Sequence, residues 1–189
     1  EARAVVDVAR DEARAVAARC RAHGALLIIN DDPVLAAEVA ADGVHLGRDD
    51  ASVQVARTHL GEAGLIGVSC YDSLERAHAA AAEGADYVAF GSMYASTVKP
   101  GAVRAPLALL TRARAEVPLP IVAIGGIDPG NASAVLRAGA HAVAVISAVF
   151  AAPDIAAAVD AFHQLIEAES GASPDTVSPT QTFVRSPNR

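Results

Sequence analysis

The chain has 189 residues, of which 52% are hydrophobic but only 4% aromatic, and its formal net charge is −7. This length suffices for one domain with a sizeable core. The negative charge argues against nucleic acid as a partner, and the absence of an apolar run of about 20 residues argues against a membrane span. Two cysteines, Cys20 and Cys70, give neither a disulfide framework nor a metal-binding spacing, which favours a reducing cytoplasm.

The first residues have a helical pattern. The apolar positions predicted to share one helix face are Val5, Ala9, Ala13, Val16 and Cys20. The chain begins at Glu1, and its only methionine is Met93. We therefore expect it to be a trimmed piece of a longer protein that has lost N-terminal elements.

Short apolar runs then alternate with helical stretches. The predicted strands are 26–30, 43–46, 65–69, 87–90, 121–124 and 142–146, and the predicted helices are 33–40, 51–60, 73–83, 106–115, 130–138 and 155–167. The strands lack strict polar and apolar alternation, as expected of parallel strands covered on both faces. Three helix starts carry capping signals, which are Asp32-Pro33, Asp72 with Glu75, and Asp128-Pro129.

This alternation fits either a doubly wound open sheet or a (βα)8 barrel. A weak repeat before three strands supports it, with the sequences Ala41-Asp42-Gly43, Ala85-Asp86-Tyr87 and Ala140-His141-Ala142. The open sheet predicts a Gly-x-Gly-x-x-Gly turn after an early strand, which the sequence lacks, whereas polar residues and glycines at strand ends favour the barrel. We predict an α/β fold, a TIM barrel truncated to about six βα units in residues 1–168, and a disordered tail at 169–189.

Two aspartates follow the first two predicted strands. Asp32 has the position of a helix cap, which leaves Asp31 at the strand tip, and Asp50 follows the next strand. Neighbouring strands lie about 4.8 Å apart, so Asp31 and Asp50 could share one hard cation such as magnesium. Both could equally be ordinary loop or capping aspartates.

The third and fourth strands end in further polar groups. Ser69 places a hydroxyl at the third strand end, and we interpret the following Cys70 as a small packing residue rather than a nucleophile. The loop 91–101 carries hydroxyls, glycines and one lysine, Lys99. A lysine can bind phosphate as a point charge, although a single loop lysine can also be merely solvated.

The last two strand ends have the residues of an anion site. Gly125-Gly126 follows the fifth strand and allows close approach of the backbone to a ligand. Ile146-Ser147 follows the sixth strand and opens a helix. In barrels the loops after the seventh and eighth strands commonly form a phosphate site. The alternative is a purely structural glycine turn.

Taken in order, these segments resemble thiamine phosphate synthases over about residues 1–165. The matching motifs are Asn30-Asp31-Asp32, Asp42-Gly43-Val44-His45-Leu46-Gly47, Gly67-Val68-Ser69, Gly84-Ala85-Asp86-Tyr87-Val88-Ala89-Phe90-Gly91, Ala123-Ile124-Gly125-Gly126-Ile127 and Val145-Ile146-Ser147-Ala148. The resemblance implies a TIM-barrel transferase that joins a hydroxymethylpyrimidine diphosphate to a thiazole phosphate (or its carboxylate), with loss of pyrophosphate through a pyrimidine carbocation.

The resemblance also implies a role for each site residue. Asp31 and Asp50 would hold Mg²⁺, and Asn30 would contact the diphosphate substrate. Lys99 would hold the departing pyrophosphate, and Ser69 would lie beside the pyrimidine and the pyrophosphate, so these two are the predicted catalytic residues. The residues implied to bind substrate phosphates are Ser96, Thr97, Gly125, Gly126, Ile146 and Ser147.

The sequence departs from the family pattern at two places. Val98 stands where the family usually has a threonine before the loop lysine. A Gln-x-Arg-x-Lys cluster that grips the diphosphate in the family is missing, so we expect this chain alone to be inactive. The alternatives are a thiazole tautomerase, which needs neither the aspartate pair nor the lysine, and a barrel that only binds a phosphorylated metabolite. The expected partners are small-molecule substrates and, in assembly, a possible homo-oligomer.

Overall fold

The computed structural model describes residues 2–95 and 103–171. In these residues helices and strands alternate as the sequence predicts. The helices are α1 (Ala2–Ala22), α2 (Pro33–Glu38), α3 (Val53–Leu60), α4 (Leu74–Glu83), α5 (Leu107–Glu116), α6 (Ala132–Arg137), α7 (Ser147–Phe150) and α8 (Ile155–Gly171). The strands are β1 (Ile28–Asn30), β2 (Gly43–Leu46), β3 (Leu65–Tyr71), β4 (Tyr87–Phe90), β5 (Ile121–Ile124) and β6 (Ala142–Ala144).

Packing divides the chain into two compact units. The first consists of Glu1–Ser69 with Glu83–Asp86, and the second of Cys70–Ala82 with Tyr87–Arg189. None of the helices in the described ranges is long and apolar enough to cross a membrane. The disordered tail was predicted to start at residue 169, but α8 continues to Gly171. The rest of the predicted tail lies outside the described residues.

In the first unit, β2 lies between β1 and β3 and pairs with both in parallel. His45 is the register partner of Asn30 on one side and of Gly67 on the other. Because parallel strands run in the same direction, the C-terminal ends of the three strands lie at the same edge of the sheet. Asn30 and Leu46 are the last residues of β1 and β2, and Ser69 lies near the end of β3. Aliphatic side chains with at most 2% exposure form the core of this unit, namely Ala36, Val44, Leu46, Ala56 and Ile66.

The second unit repeats this arrangement with β5 between β4 and β6. Phe90 pairs in register with Ala123, and Ile124 with Ala144, both in parallel. The side chains that fill its core are fully buried, namely Val88, Phe90, Leu110, Ile121 and Val135. Burying a side chain of this size stabilises the fold by about 1.5–3 kcal/mol. The prediction of an α/β fold with six parallel strands is confirmed.

Three strand ends differ from the prediction. β3 continues to Tyr71 rather than ending at residue 69, and at the other two ends different groups take the backbone hydrogen bonds. β1 begins at Ile28 rather than at residue 26, since the N–H of Leu27 donates to the Asp42 carboxylate at 2.7 Å instead of to a strand. β6 ends at Ala144 rather than at residue 146. There Ile146 becomes the N-cap of α7, and its carbonyl accepts from Phe150 at 2.8 Å.

The three predicted helix caps had different outcomes. Asp32 is confirmed, because its Oδ1 accepts from the N–H groups of Val34 and Leu35 at 2.9 Å each. The prediction for Asp72 is wrong, since Ser73 Oγ accepts from the Arg76 N–H at 3.2 Å in its place.

Asp128 does not cap a helix directly. Its Oδ1 accepts from the Gly130 N–H at 2.8 Å, which closes a turn, and α6 begins only at Ala132. The predicted start of this helix at residue 130 is therefore early, because the Asp-Pro-Gly sequence satisfies its own backbone in the turn.

The apolar face predicted for α1 also needs a correction. Val16 is 47% exposed, whereas Ala17 is 2% exposed. Ala17 and the half-buried Ala13 and Cys20 lie on the inner face at i, i+4 and i+7 spacing. From residue 10 onward the buried stripe of this helix is therefore narrow and made of small side chains, while the predicted positions Val5 and Ala9 lie outside the described side chains.

Candidate active site

The first strand of the first unit, β1, ends in exposed polar residues. Asn30 and Asp31 are both exposed, and the Asp31 N–H donates to the His45 carbonyl at 2.8 Å. Asp31 has a φ of 68°, in the left-handed region that aspartate tolerates better than most residues. Asp31 thus stands just past the end of β1, as predicted, while Asp32 is committed to the cap of α2.

His45 and Ser69 are joined across β2 and β3. His45 Nε2 lies 2.8 Å from Ser69 Oγ, and the imidazole tautomer decides which of the two donates. The register partner of His45 is Gly67, so Ser69 lies two residues further along on the same face of β3. Burial lowers the pKa of His45, and the charge of Asp50 partly opposes this effect. The ring is therefore neutral at neutral pH.

Asp50 closes the turn that follows β2. Its Oδ2 accepts from the Gly47 N–H at 2.6 Å, and its side chain is exposed. Its charge is close enough to His45 to act on the imidazole, while Asp31 reaches the same residue through its backbone N–H. Both aspartates thus belong to the surroundings of His45 at the edge where β1, β2 and β3 end.

The chemistry of these side chains fits a magnesium ion with few protein ligands. Asp31 and Asp50 offer carboxylate oxygens, which are the ligands that Mg²⁺ prefers. In residues 2–95 and 103–171, no three His, Cys, Asp or Glu side chains cluster as a metal site requires. A site of two carboxylates, completed by water and substrate phosphate oxygens, is a usual arrangement for Mg²⁺.

In the second unit the segment after β4 is held by backbone hydrogen bonds. Ser92 is 9% exposed, and its Oγ donates to the Tyr94 carbonyl at 2.7 Å. The N–H of Met93 donates to the Ile124 carbonyl at 3.0 Å, and that of Tyr94 to the Gly125 carbonyl at 2.9 Å. The chain after β4 therefore lies directly against the glycine pair after β5.

This close approach requires the glycine pair. Gly125 and Gly126 have φ values of 104° and 63°. A Cβ on Gly125 would collide with Ser92, and a Cβ on Gly126 would come 2.9 Å from Tyr94 Cβ. Both a positive φ and a packed neighbour thus demand glycine at these positions.

Ile146 and Ser147 mark the start of α7, the short helix that follows β6. Ile146 is 54% exposed although it is apolar, and Ser147 is the first residue of the helix. Single exposed apolar side chains are common on protein surfaces, so this exposure is compatible with the predicted contact to a ligand but does not assign it. The prediction that a helix opens after the sixth strand is confirmed.

Three predicted site residues, Ser96, Thr97 and Lys99, lie outside the described residues. Cys70 lies inside them and is fully buried. Burial raises the pKa of its thiol to about 12, so the thiol stays protonated. The interpretation of Cys70 as a packing residue is confirmed.

Two features of the site were missed by sequence reasoning. One is the contact of His45 with Ser69, which depends on strand register. The sequence did carry a signal for their proximity, because both residues are polar and lie near the ends of consecutive strands. The structural role of Ser92 had no such signal, since its neighbours in sequence are equally polar or small.

Comparisons with known proteins agree on one family. A family model described as thiamine monophosphate synthase matches residues 6–149. The thiamine-phosphate synthase of Azoarcus sp. (strain BH72) is 63% identical over 144 residues, which are 76% of this chain and 70% of that protein. That of Thiobacillus denitrificans (strain ATCC 25259 / T1) is 54% identical over 165 residues, or 86% of this chain and 78% of that protein.

A solved structure shows the same similarity. Thiamine phosphate pyrophosphorylase from Pyrococcus furiosus aligns with a TM-score of 0.76 and 34% sequence identity. The alignment covers 85% of this chain and 76% of the other.

Proposed function

This chain belongs to the thiamine monophosphate synthase family, and we propose that it is a transferase that makes thiamine phosphate. It would join hydroxymethylpyrimidine diphosphate to thiazole phosphate, or its carboxylate, and release pyrophosphate. The observation that carries the proposal is the polar edge of the first unit, where Asp31 follows β1, Asp50 follows β2 and Ser69 lies near the end of β3. All of these residues lie within the segment 6–149 that the family model matches.

Asp31 and Asp50 would hold a magnesium ion. Such an ion would neutralise negative charge on the diphosphate and on the departing pyrophosphate. Support comes from the donor set, two exposed aspartates, of which Asp31 donates its N–H to the His45 carbonyl and Asp50 acts through its charge on the His45 imidazole. Asp50 uses Oδ2 to accept from the Gly47 N–H, which fixes the carboxylate in place through the backbone of its own turn.

Asn30 and Ser69 would contact the diphosphate substrate. Asn30 ends β1 and is exposed, and Ser69 is half-buried near the end of β3. An amide and a hydroxyl can donate to phosphate oxygens without adding charge. Negative charge grows on the leaving pyrophosphate, so fixed donors at that place lower the barrier.

Lys99 would take the remaining charge of the pyrophosphate, with Ser96 and Thr97 assisting in the same loop. Lysine suits this task because it is a compact cation on a flexible stem. The thiazole nitrogen is itself nucleophilic, so the reaction needs no general base.

The thiazole phosphate would be seated in the second unit. Gly125 and Gly126 combine positive φ with close backbone packing, and such turns let a phosphate approach backbone amides. Ile146 and Ser147 would contribute an apolar contact and a hydroxyl. The support is the exposure of Ile146 at the start of α7.

We further propose that the strands belong to a (βα)8 barrel, of which this chain supplies six βα repeats. Support comes from consecutive strands that pair as parallel neighbours within each of the two compact units. A cytoplasmic location is proposed from the two cysteines, Cys20 and Cys70, which are both free thiols.

The test is an assay of pyrophosphate release by the full-length parent protein, called the full chain below, because we expect the 189 residues alone to be inactive. With both substrates and Mg²⁺, we expect pyrophosphate and thiamine phosphate in equal amounts, and neither product when one substrate is omitted. Isomerisation of a thiazole phosphate without pyrophosphate release would contradict the proposal and favour a tautomerase. Binding of the substrates without turnover would favour a binding protein.

A further inference from the structure

We propose that His45 is a positioning residue, which holds the Ser69 hydroxyl in the orientation needed for reaction of the diphosphate substrate. The inference rests on the proposed function, because it assigns His45 to the same chemistry. It begins from the contact between His45 Nε2 and Ser69 Oγ at 2.8 Å.

Both partners are mounted on rigid backbone. His45 stands in β2 between Val44 and Leu46, which are 0% and 2% exposed. Ser69 stands in β3 between Val68 and Cys70, which are 8% and 0% exposed. These buried neighbours anchor the two strands, so the imidazole and the hydroxyl meet at a fixed separation.

The contact restricts a side chain that is otherwise mobile. A serine hydroxyl has three staggered χ1 rotamers, and a hydrogen bond to the imidazole selects the one that faces His45. In the Nε2–H tautomer the neutral imidazole donates to Ser69 Oγ, which leaves the single hydroxyl proton of Ser69 for the diphosphate. Misplacing a reacting group by about 1 Å can cost on the order of 100-fold in rate.

The surroundings of His45 place it among the residues proposed for the reaction. Its imidazole contacts the Ser69 hydroxyl and is acted on by the charge of Asp50. The Asp31 N–H donates to the backbone carbonyl of His45, a contact that does not depend on the side chain at this position. The role proposed for the imidazole therefore rests on its contact with the Ser69 hydroxyl.

The side-chain lengths of two amides provide a matched pair of variants. In His45→Gln the terminal amide can reach the place of Nε2, so the contact with Ser69 is kept. In His45→Asn the amide reaches only as far as Nδ1, so the contact is lost while polarity is retained. Ser69→Ala removes the partner and leaves His45 in place.

The experiment measures kcat and KM for both substrates in these variants of the full chain, with thermal unfolding to check that each folds. We expect His45→Asn to lower kcat by about 10- to 100-fold, with little change in KM, and His45→Gln to keep kcat within about threefold of the wild type. In a Ser69→Ala background, His45→Asn should cause no further loss, since His45 acts only through the hydroxyl.

A further loss of kcat in the Ser69→Ala background would overturn the inference, because His45 would then act independently of Ser69. Equal damage from the Gln and Asn variants would overturn it as well, as would a loss that follows the unfolding temperature. These results all presuppose an active wild type. A wild type that releases no pyrophosphate would overturn the proposed function and this inference with it.

Discussion

Gly61 and Gly126 have nearly the same φ angle but lie in different surroundings. Their φ values are 65° and 63°. A Cβ on Gly61 would meet nothing within 4 Å, whereas a Cβ on Gly126 would collide with the Ala95 carbonyl and approach Tyr94 Cβ. The two positions thus separate the cost of a left-handed backbone from the cost of crowding.

We expect Gly61→Ala to lower the free energy of unfolding by about 1–3 kcal/mol through backbone strain alone, because φ 65° with ψ −170° is a conformation that essentially only glycine adopts. Gly126→Ala should cost about 1–3 kcal/mol more, because the new methyl group must displace the segment after β4. Urea denaturation of both variants measures the difference. Equal losses would show that the segment after β4 yields easily and that Gly126 is needed only for its φ.

At the scale of whole elements, three strands are tied to their neighbours in the same way. In each case one residue stands just before a strand, and its partner stands at or next to the start of the preceding strand. The first residue donates its backbone N–H to the carbonyl of the partner, and its side chain accepts the N–H of the partner. The pairs are Asp42 with Leu27, Asp86 with Ile66 and His141 with Ile121. These contacts explain the repeat before three strands, where the sequence pattern alone indicated only helix ends.

Asp86 differs from Asp42 by an added ion pair. Arg57 Nη2 lies 2.7 Å from Asp86 Oδ2, with side-chain exposures of 16% and 13%. The same guanidinium donates to the carbonyls of Gly61, Gly64 and Gly84. Arg57 thereby ties α3 to the loop after it and to the residues before β4.

We predict that Asp86→Asn lowers the free energy of unfolding by about 3 kcal/mol, because a nearly buried guanidinium loses its counter-charge. The matched control, Asp42→Asn, should cost less than about 1 kcal/mol, since an amide oxygen can still accept the Leu27 N–H. Chemical denaturation of both variants measures the difference. Similar losses at the two positions would contradict the importance of the ion pair.

His141 makes the third of these contacts sensitive to pH. Its Nδ1 accepts the Ile121 N–H at 2.9 Å, which requires an unprotonated nitrogen. Burial, with a smaller effect from Arg114, lowers the pKa of His141 from 6.5 to about 4. Between these two pH values the unfolded chain binds more protons than the folded one.

The free energy of unfolding should therefore fall as the pH falls below about 6.5, and this contribution should level off near pH 4. The part due to His141 is on the order of 1–2 kcal/mol, because the imidazole is partly solvated and water screens the effect. His141→Asn keeps an acceptor for the Ile121 N–H but does not titrate. Denaturation curves from pH 8 to pH 4 should show a weaker pH dependence in this variant, and identical profiles would contradict the assignment.

For the molecule as a whole, the sequence predicted the elements better than the contacts between them. The six strands were found because they are apolar and lie between helices with clear starts, as at Asp32-Pro33. The strand ends were less accurate, since the Asp42 carboxylate takes the Leu27 N–H and Ile146 turns into a helix cap. Such competition for backbone groups depends on three-dimensional neighbours.

The candidate site shows the same limit. Asp31 and Asp50 could be identified from their positions after consecutive strands. The link between His45 and Ser69 could not, because it depends on the register of β2 with β3. The predicted role of Lys99, the predicted loss of N-terminal barrel units and the predicted inactivity of this chain alone stay predictions.

The central claim is that Asp31 and Asp50 together support magnesium-dependent release of pyrophosphate. The most direct test is a magnesium titration of pyrophosphate release in Asp31→Asn, Asp50→Asn and the control Asp49→Asn, which alters the exposed neighbour of Asp50. We predict that the rate of pyrophosphate release at low magnesium is about 100-fold or more lower in the first two variants than in the wild type. Asp49→Asn should show the same dependence on magnesium concentration as the wild type. Unchanged magnesium dependence in Asp31→Asn and Asp50→Asn would contradict the account.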